Sequence, residues 1–322
     1  MIRSLLLALS IGAAGAAGTA AAQERYPTRP IRIIVPFPAG GPIDVMARLI
    51  GQKLSPNLGQ QIIIENRPGG GSTVGLKAAV GAEPDGHTLL VGGLMTLAVL
   101  PTLSRSLDIA PVDGFSPIVA VSGTPFVLIV PPRVTARTVQ DLIAYARAHP
   151  GKINFGAPAG ATPIMVGELF KSRAGINIVT VPYRGAANVM TDMLGGQIDM
   201  AFEPTSVTIG HVRDGKVRPL AVTGTARSSE LPDVPTMVES GVRDMVAVSW
   251  TGLVAPPRTP PAIIARLNRE MNAVLKSEDM IHALRKLGST PIGGTPQDFR
   301  ALLAEESPKW IAVVKSSGMK VD

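Results

Sequence analysis

Apolar and polar positions change period repeatedly along this chain. Ile31-Arg32-Ile33-Ile34-Val35 is a β-type apolar run closed by Pro36. After a turn built from two prolines and two glycines, Ile43, Met46, Ile50 and Leu54 recur at helical spacing. Gln61–Glu65 (QIIIE) reads as a second strand, and "NRPGGGSTVG" as a turn opening a helix. Asp85-Gly86 is the turn before the strand in "PDGHTLLVGG". In the middle of the chain, "FVLIVPP" (Phe126–Pro132), "INFG", "INIVTVPY", "QIDMAFE" and "VRPLAVTG" read as strands. Between the first four lie the helical stretches "TVQDLIAYARAHPGK", "IMVGELFKSRAG" and "AANVMTDMLGG". This alternation, with strands apolar along most of their length, predicts an α/β fold with mainly parallel sheets covered by helices on both faces.

The last third holds the extended run "VAVSWTGLVAPP", then helices over Pro261–Lys276 and Ser277–Leu287. A final amphipathic helix starts with Thr295 as N-cap, Pro296 at N1 and Asp298 at N3. Pro308 is expected to kink or restart it.

At 322 residues the chain has room for two domains. Aromatics make up only 4% of it, so the cores must be built from Ala, Val, Ile, Leu and Met. Residues 1–22 have the form of a secretory signal: Arg3, an apolar run over Leu5–Ile11, then small residues with Ala20 and Ala22 at an A-x-A cleavage site. The alternative, a membrane anchor, needs about 20 predominantly apolar residues, and this run is shorter and rich in Gly and Ala. An exported chain without cysteine has no disulfides and must rely on its cores. The formal charge is +7, and +6 once Arg3 leaves with the signal. The basic residues are scattered singly, without the stripe or interleaved aromatics of a nucleic-acid surface, so no nucleic acid partner is expected.

Three turns share one pattern: each follows an apolar strand, contains glycine and opens a helix. They are Phe37-Pro38-Ala39-Gly40-Gly41-Pro42, with Asp44 in the first helical turn; Gly156-Ala157-Pro158-Ala159-Gly160-Ala161-Thr162-Pro163; and Pro182-Tyr183-Arg184-Gly185-Ala186. Glycine lets the backbone approach a ligand closely. A helix N-terminus offers unpaired N–H groups and partial positive charge, an anion site. In parallel α/β sheets such turns gather at the carboxyl edge. A few charge-assisted bonds of about 1.5–3 kcal/mol each reach the roughly −8 kcal/mol of micromolar binding. Each turn taken singly could equally be structural.

Enzyme signatures are sparse. There is no Walker loop, and "GGGSTVG" is not G-x-S-x-G because Val74 stands where the second glycine is needed. His87, His149, His211 and His282 are far apart and form no metal-binding pair. No metal, cofactor or catalytic residue is expected. Asp44 reads as an N3 residue offsetting the helix dipole.

The motifs "RPIRIIVPFPAGGPIDVMAR", "IIIENRPGGGSTVG", "PDGHTLL", "VPYRGAANVMTDMLGGQIDMAF", "VRPLAVTGTARSSELPDVPTMVESG" and "WTGLVAPPRTPPAIIARLN", in this order, resemble the Bug (TctC-like) family of periplasmic solute receptors of tripartite tricarboxylate transporters. The resemblance covers essentially the whole mature chain. It implies a two-domain, type II-like periplasmic binding protein: domain I from residues 23–123 plus 250–322, domain II from 124–249, with "GTPFVLIV" and "VAVSWTGLVAP" as hinge crossings. It implies a monomer that closes on a small carboxylate and docks on a membrane permease of that transporter type. It carries ligand contacts onto Phe37, Ala39, Gly40, Gly41 and Asp44, onto the turn Ala157–Thr162, onto Tyr183-Arg184-Gly185, and onto Thr96 and Glu203. Two departures stand out. Pro42 and Ile43 follow the glycines where the family commonly has Ser or Thr. Ala157, Ala159 and Ala161 occupy a turn usually rich in hydroxyls, with Ile164 near a usual histidine. Both argue against a highly polar ligand such as citrate. The rival readings are an exported hydrolase or isomerase of carboxylic acids, and a receptor that senses its ligand without transporting it.

Overall fold

The computed structural model describes residues 26–104, 107, 109–110, 112–158 and 161–317. The expected signal segment, residues 1–22, lies outside them, as do Ala159 and Gly160 of the second turn. The chain opens with β1 (Ile31–Val35), α1 (Pro42–Leu58), β2 (Ile62–Asn66), α2 (Thr73–Val80) and β3 (Thr88–Gly93). A π-helical turn over Leu94–Val99 leads into the short α3 (Leu100–Leu103) and then β4 (Ser116–Val130). A second alternating series follows: α4 (Val139–Ala148), β5 (Asn154–Pro158), α5 (Thr162–Ala174), β6 (Val179–Tyr183), α6 (Ala186–Leu194), β7 (Met200–Pro204), α7 (Thr205–Arg213) and β8 (Arg218–Val222). The chain finishes with β9 (Val248–Ala255), α8 (Pro261–Leu275), α9 (Glu278–Lys286), β10 (Thr290–Gly293) and α10 (Pro296–Ser317).

The α/β class expected from the periodicity holds, but the sheet is mixed. Strands β1–β2, β1–β3, β5–β6 and β5–β7 pair in parallel, as βαβ units require. Every ladder made by β4 or β9 is antiparallel. The hydrogen-bonded order is β2-β1-β3-β9-β4-β7-β5-β6, with β10 and β8 also on β4. One strand therefore serves two groups. Residues 116–125 of β4 pair with β9, and 126–130 pair with β7 and β8. Pro125 stands where the partners change, a place where a strand tolerates the missing N–H. The buried Thr223 ties this junction together: its Oγ1 accepts from the Phe126 N–H (2.9 Å) and donates to the Ala247 carbonyl.

Three apolar clusters fill the interior. One, from Ile31 and Leu54 to Leu284, lies between β1, β3, β9 and helices α1, α8 and α9. Another, around Val127, Ile129, Val189, Met193 and Val222, lies under α6 and beside β8. The largest runs through both strand groups, from Leu76 and Leu97 past Phe126 and Leu128 to Phe155, Phe170, Phe202 and Trp310. At Trp310 α10 contributes most: Phe299, Leu303, Trp310, Val313 and Val314 are buried. Each such side chain contributes about 1.5–3 kcal/mol, which offsets the roughly 3 kcal/mol cost of proline inside a helix. α10 is continuous through Pro308, so the helix does not restart there. Among the described residues no helix is long and apolar enough to cross a membrane.

Candidate functional site

The first turn is fixed by a carboxylate beneath it. Gly41 is the N-cap of α1 and Pro42 occupies N1, where its fixed φ suits the helix and its missing N–H costs nothing. Asp44, at N3, is only 1% exposed. Its Oδ2 accepts from the Gly40 N–H (2.8 Å) and from Arg48 Nε (2.9 Å). Its Oδ1 accepts from Arg48 Nη2 (3.0 Å) and Asn66 Nδ2 (2.8 Å). The Arg48 hydrogen bonds foremost, with those from Gly40 and Asn66, hold the Asp44 carboxyl down to about 2. The Asn66 amide also donates to the Phe37 carbonyl (3.1 Å), tying the turn to the end of β2. Asp44 is thus the internal brace of the loop as well as the N3 acid that the sequence suggests. Gly40 adopts φ +85°, which its lack of a Cβ permits.

With Gly40 engaged and Pro42 lacking an N–H, the amides left ahead of the helical ladder are those of Gly41, Ile43 and Asp44. The first i→i−4 bond is Val45 N–H to the Gly41 carbonyl (2.9 Å). Pro38, Ala39 and Gly40 are exposed and Phe37 is half-buried. A second glycine holds the loop from behind: a methyl on Gly75 of α2 would stand 2.7 Å from Pro36 Cβ and 3.0 Å from the Arg67 carbonyl oxygen. The glycine-rich "GGGSTVG" segment therefore lets α2 pack against the start of this turn. At the end of β3, Thr96 Oγ1 accepts from the Gly93 N–H (2.9 Å) and lies 3.1 Å from the Gly93 carbonyl, so this buried hydroxyl closes its own turn.

The second and third turns end β5 and β6. Ala157 is buried and Pro158 half-buried. Ala161 is the N-cap of α5; its N–H donates to the Pro158 carbonyl (3.3 Å), and Thr162 opens the helix. The Tyr183 ring lies over Gly156, where an added methyl would stand 3.2 Å from its Cε2. Tyr183 Oη donates to Asp192 Oδ2 (2.8 Å), and burial, with that carboxylate, pushes the phenol up to about 12. Gly185 caps α6. Arg184 is exposed and makes no hydrogen bond or ion pair among the described residues, leaving its guanidinium free for an anion.

Glu203 is different in kind. It sits on β7 opposite Val127 of β4, one residue before Pro204 and the start of α7. Strand alternation puts it on the face of Ala201 and the apolar cluster with Val127 and Val189. It is 1% exposed, neither carboxylate oxygen has a hydrogen-bond partner, and burial pushes its pKa up to about 7. Below about pH 7 it therefore keeps a proton that an ordinary carboxyl has already lost.

Strand register brings the turns towards one another. Gly93, ending β3, lies opposite Thr251 of β9, which lies opposite Ser122 of β4. Four residues further along β4, Phe126 lies opposite Pro204 at the end of β7. The carboxyl ends of the two parallel groups thus face each other across about 13 Å of strand. The sequence reading missed Arg48 and Asn66; the Asp44–Arg48 pair was legible as an i,i+4 ion pair, whereas Asn66 is joined only by folding. It also missed α7, and with it a further strand-to-helix turn at Pro204-Thr205. Among the described residues no group of three His, Cys, Asp or Glu side chains could hold a metal.

A fold with these facing carboxyl edges is that of periplasmic binding proteins. The profile of the family described as "Tripartite tricarboxylate transporter family receptor" (TctC) matches residues 46–319. The chain belongs to this family, which consists of binding receptors. Protein BugT of Bordetella pertussis is 36% identical over 318 residues, spanning 98% of this chain and 97% of BugT. A Rhodopseudomonas palustris protein solved with adipate is 33% identical, with a TM-score of 0.75, covering 91% of this chain and 98% of its own. MatC from the same organism, solved with bound malate, is 30% identical, with a TM-score of 0.73, covering 90% of this chain and all of MatC.

Proposed function

We propose that this chain is an exported receptor that captures a small carboxylate by closure of two lobes and delivers it to a tripartite tricarboxylate-type permease. One lobe comprises residues 23–123 and 250–322, the other 124–249, and Ser122–Pro125 with Val248–Thr251 form the hinge. The observation that carries this reading is the facing of the two carboxyl edges, each bearing helix N-termini, across that short span. The ligand would touch Phe37, Pro38, Ala39 and Gly41 on one side. On the other it would meet Ala157, Pro158, Gly160, Ala161, Thr162, Arg184 and Gly185. Gly40, Asp44, Thr96 and Tyr183 act by holding these turns, and Glu203 lies beneath them. Anion contacts from both lobes are made together only on closure, so the ligand shifts the population towards the closed form. The carboxylates bound by the two R. palustris relatives support this ligand class. The alanine-rich second turn favours an apolar body between polar ends, closer to adipate than to citrate. The protein acts as a monomer in the periplasm, released by cleavage near Ala22, and leaves its ligand chemically unchanged.

Calorimetric titration of residues 23–322 with adipate, malate and citrate tests this. Micromolar adipate or malate binding with the ligand recovered intact is expected. Binding of neutral analogues alone, or sustained conversion of the acid, overturns it.

A further inference from the structure

The corner between α9 and β10 meets α7 at a point where no atom could be added. Gly288 adopts φ +68°, and a methyl on its Cα would stand 2.8 Å from both the amide nitrogen and Cβ of Ser206, and 2.9 Å from its Oγ. Gly288 belongs to the group of elements around β1–β3, Ser206 to that around β5–β8. Next to Gly288, Ser289 Oγ lies 2.6 Å from Thr124 Oγ1, within the span of β4 that joins the two groups. Beside this contact is a cavity of about 370 Å³, lined from both groups by Thr205, Arg227, Ile281 and Arg285 and floored by Pro125 and Val248 of the joining strands.

We propose that the Gly288–Ser206 contact is the fulcrum on which the lobes turn. The inference rests on the two-lobed receptor reading and adds the pivot to it. Close-packed backbone cannot be compressed, whereas a void can change volume at little cost. Rotation about the contact therefore opens or shuts the adjoining cavity and leaves the contact in place. Glycine at position 288 sets how near α7 approaches the corner, and hence the angle at which the ligand turns meet.

The test is a pair of matched substitutions. Asparagine tolerates the left-handed region better than other side chains. Gly215, at φ +66°, has nothing within 4 Å of an added methyl, so Gly215→Asn introduces the backbone strain without a wedge. Gly288→Asn introduces both. Adipate and malate affinities would be measured by calorimetry, and the ligand-induced contraction by small-angle X-ray scattering. Gly215→Asn is expected to match the natural protein, and Gly288→Asn to bind about tenfold or more weakly with an altered ligand-free radius of gyration. Equal affinity and contraction in the two variants would remove the fulcrum and leave the receptor reading standing. A natural protein that neither binds nor contracts overturns that reading, and the fulcrum with it. Should Gly288→Asn lose its circular dichroism signature, Ser206→Gly slackens the same contact without touching position 288. It is expected to enlarge the ligand-free radius of gyration, and no change would overturn the proposal.

Discussion

Replacing Glu203 by glutamine should make the protein's stability less dependent on pH in a defined window. The Glu203 carboxyl is buried without a hydrogen-bond partner, and its pKa is pushed from 4.5 up to about 7. The unfolded chain releases this proton near pH 4.5, whereas the folded protein keeps it to about pH 7. Below pH 4.5 both states are protonated and the group imposes no ionisation penalty. As pH rises from 4.5 through 7 the unfolded state is increasingly favoured, and above 7 the difference levels off. A shift of about 2.5 units at 1.36 kcal/mol each gives a loss of about 3 kcal/mol across the window. Glutamine cannot ionise, so the difference between variant and natural protein isolates this residue from every other titrating group. Any constant cost of burying the amide cancels in the slope. Urea unfolding at pH 4.5, 5.5, 6.5, 7.5 and 8.5 measures it. The variant should gain about 3 kcal/mol relative to the natural protein between the ends of that series. Parallel curves would mean that Glu203 finds water or a partner in solution, and the desolvation argument would fail.

Gly40→Val places a β-branched residue at φ +85° in a position with open space around it. Strain of about 1–3 kcal/mol should distort the turn and weaken ligand binding while circular dichroism stays native. Asp44→Asn removes the brace that holds Gly40, Arg48 and Asn66. Because the Asp44 pKa is lowered in the fold, its contribution is present above about pH 4 and is lost as pH falls towards 2. The variant should be about 1–2 kcal/mol less stable at pH 7, allowing for screening of the half-exposed Arg48, and should lose less on acidification. Arg184→Ala should raise the dissociation constant for adipate about tenfold and flatten its dependence on salt, measured by calorimetry at two ionic strengths.

The strands of the two βαβ series were legible because most are short, largely apolar runs with Gly or Pro close by, and α1 because Met46, Ile50 and Leu54 keep helical spacing. What escaped had chemistry pointing the wrong way. Thr205, Val207, Thr208, Ile209 and Gly210 are poor helix formers, so α7 is held by its place after β7 and not by propensity. In β4 the apolar pattern marks a strand only from Phe126, yet the strand begins at Ser116 and passes through Gly123-Thr124-Pro125, where its partners change. Thr290–Gly293 contains proline and glycine and survives as a strand only beside β4. At the site, the glycines and Arg184 were visible locally. The Asn66 brace and the isolation of Glu203 depend on neighbours far away in sequence.

The position of β9 has a bearing on how the molecule is made. It lies between β3 and β4, yet it is synthesised more than a hundred residues after them. Until the ribosome has passed Ala255, β3 and the first part of β4 have no strand to join them. The first sheet therefore cannot close around its core early. Pairings of such long sequence separation form slowly. This late-arriving central strand acts as a built-in delay: it keeps the first sheet open until the last quarter of the chain emerges.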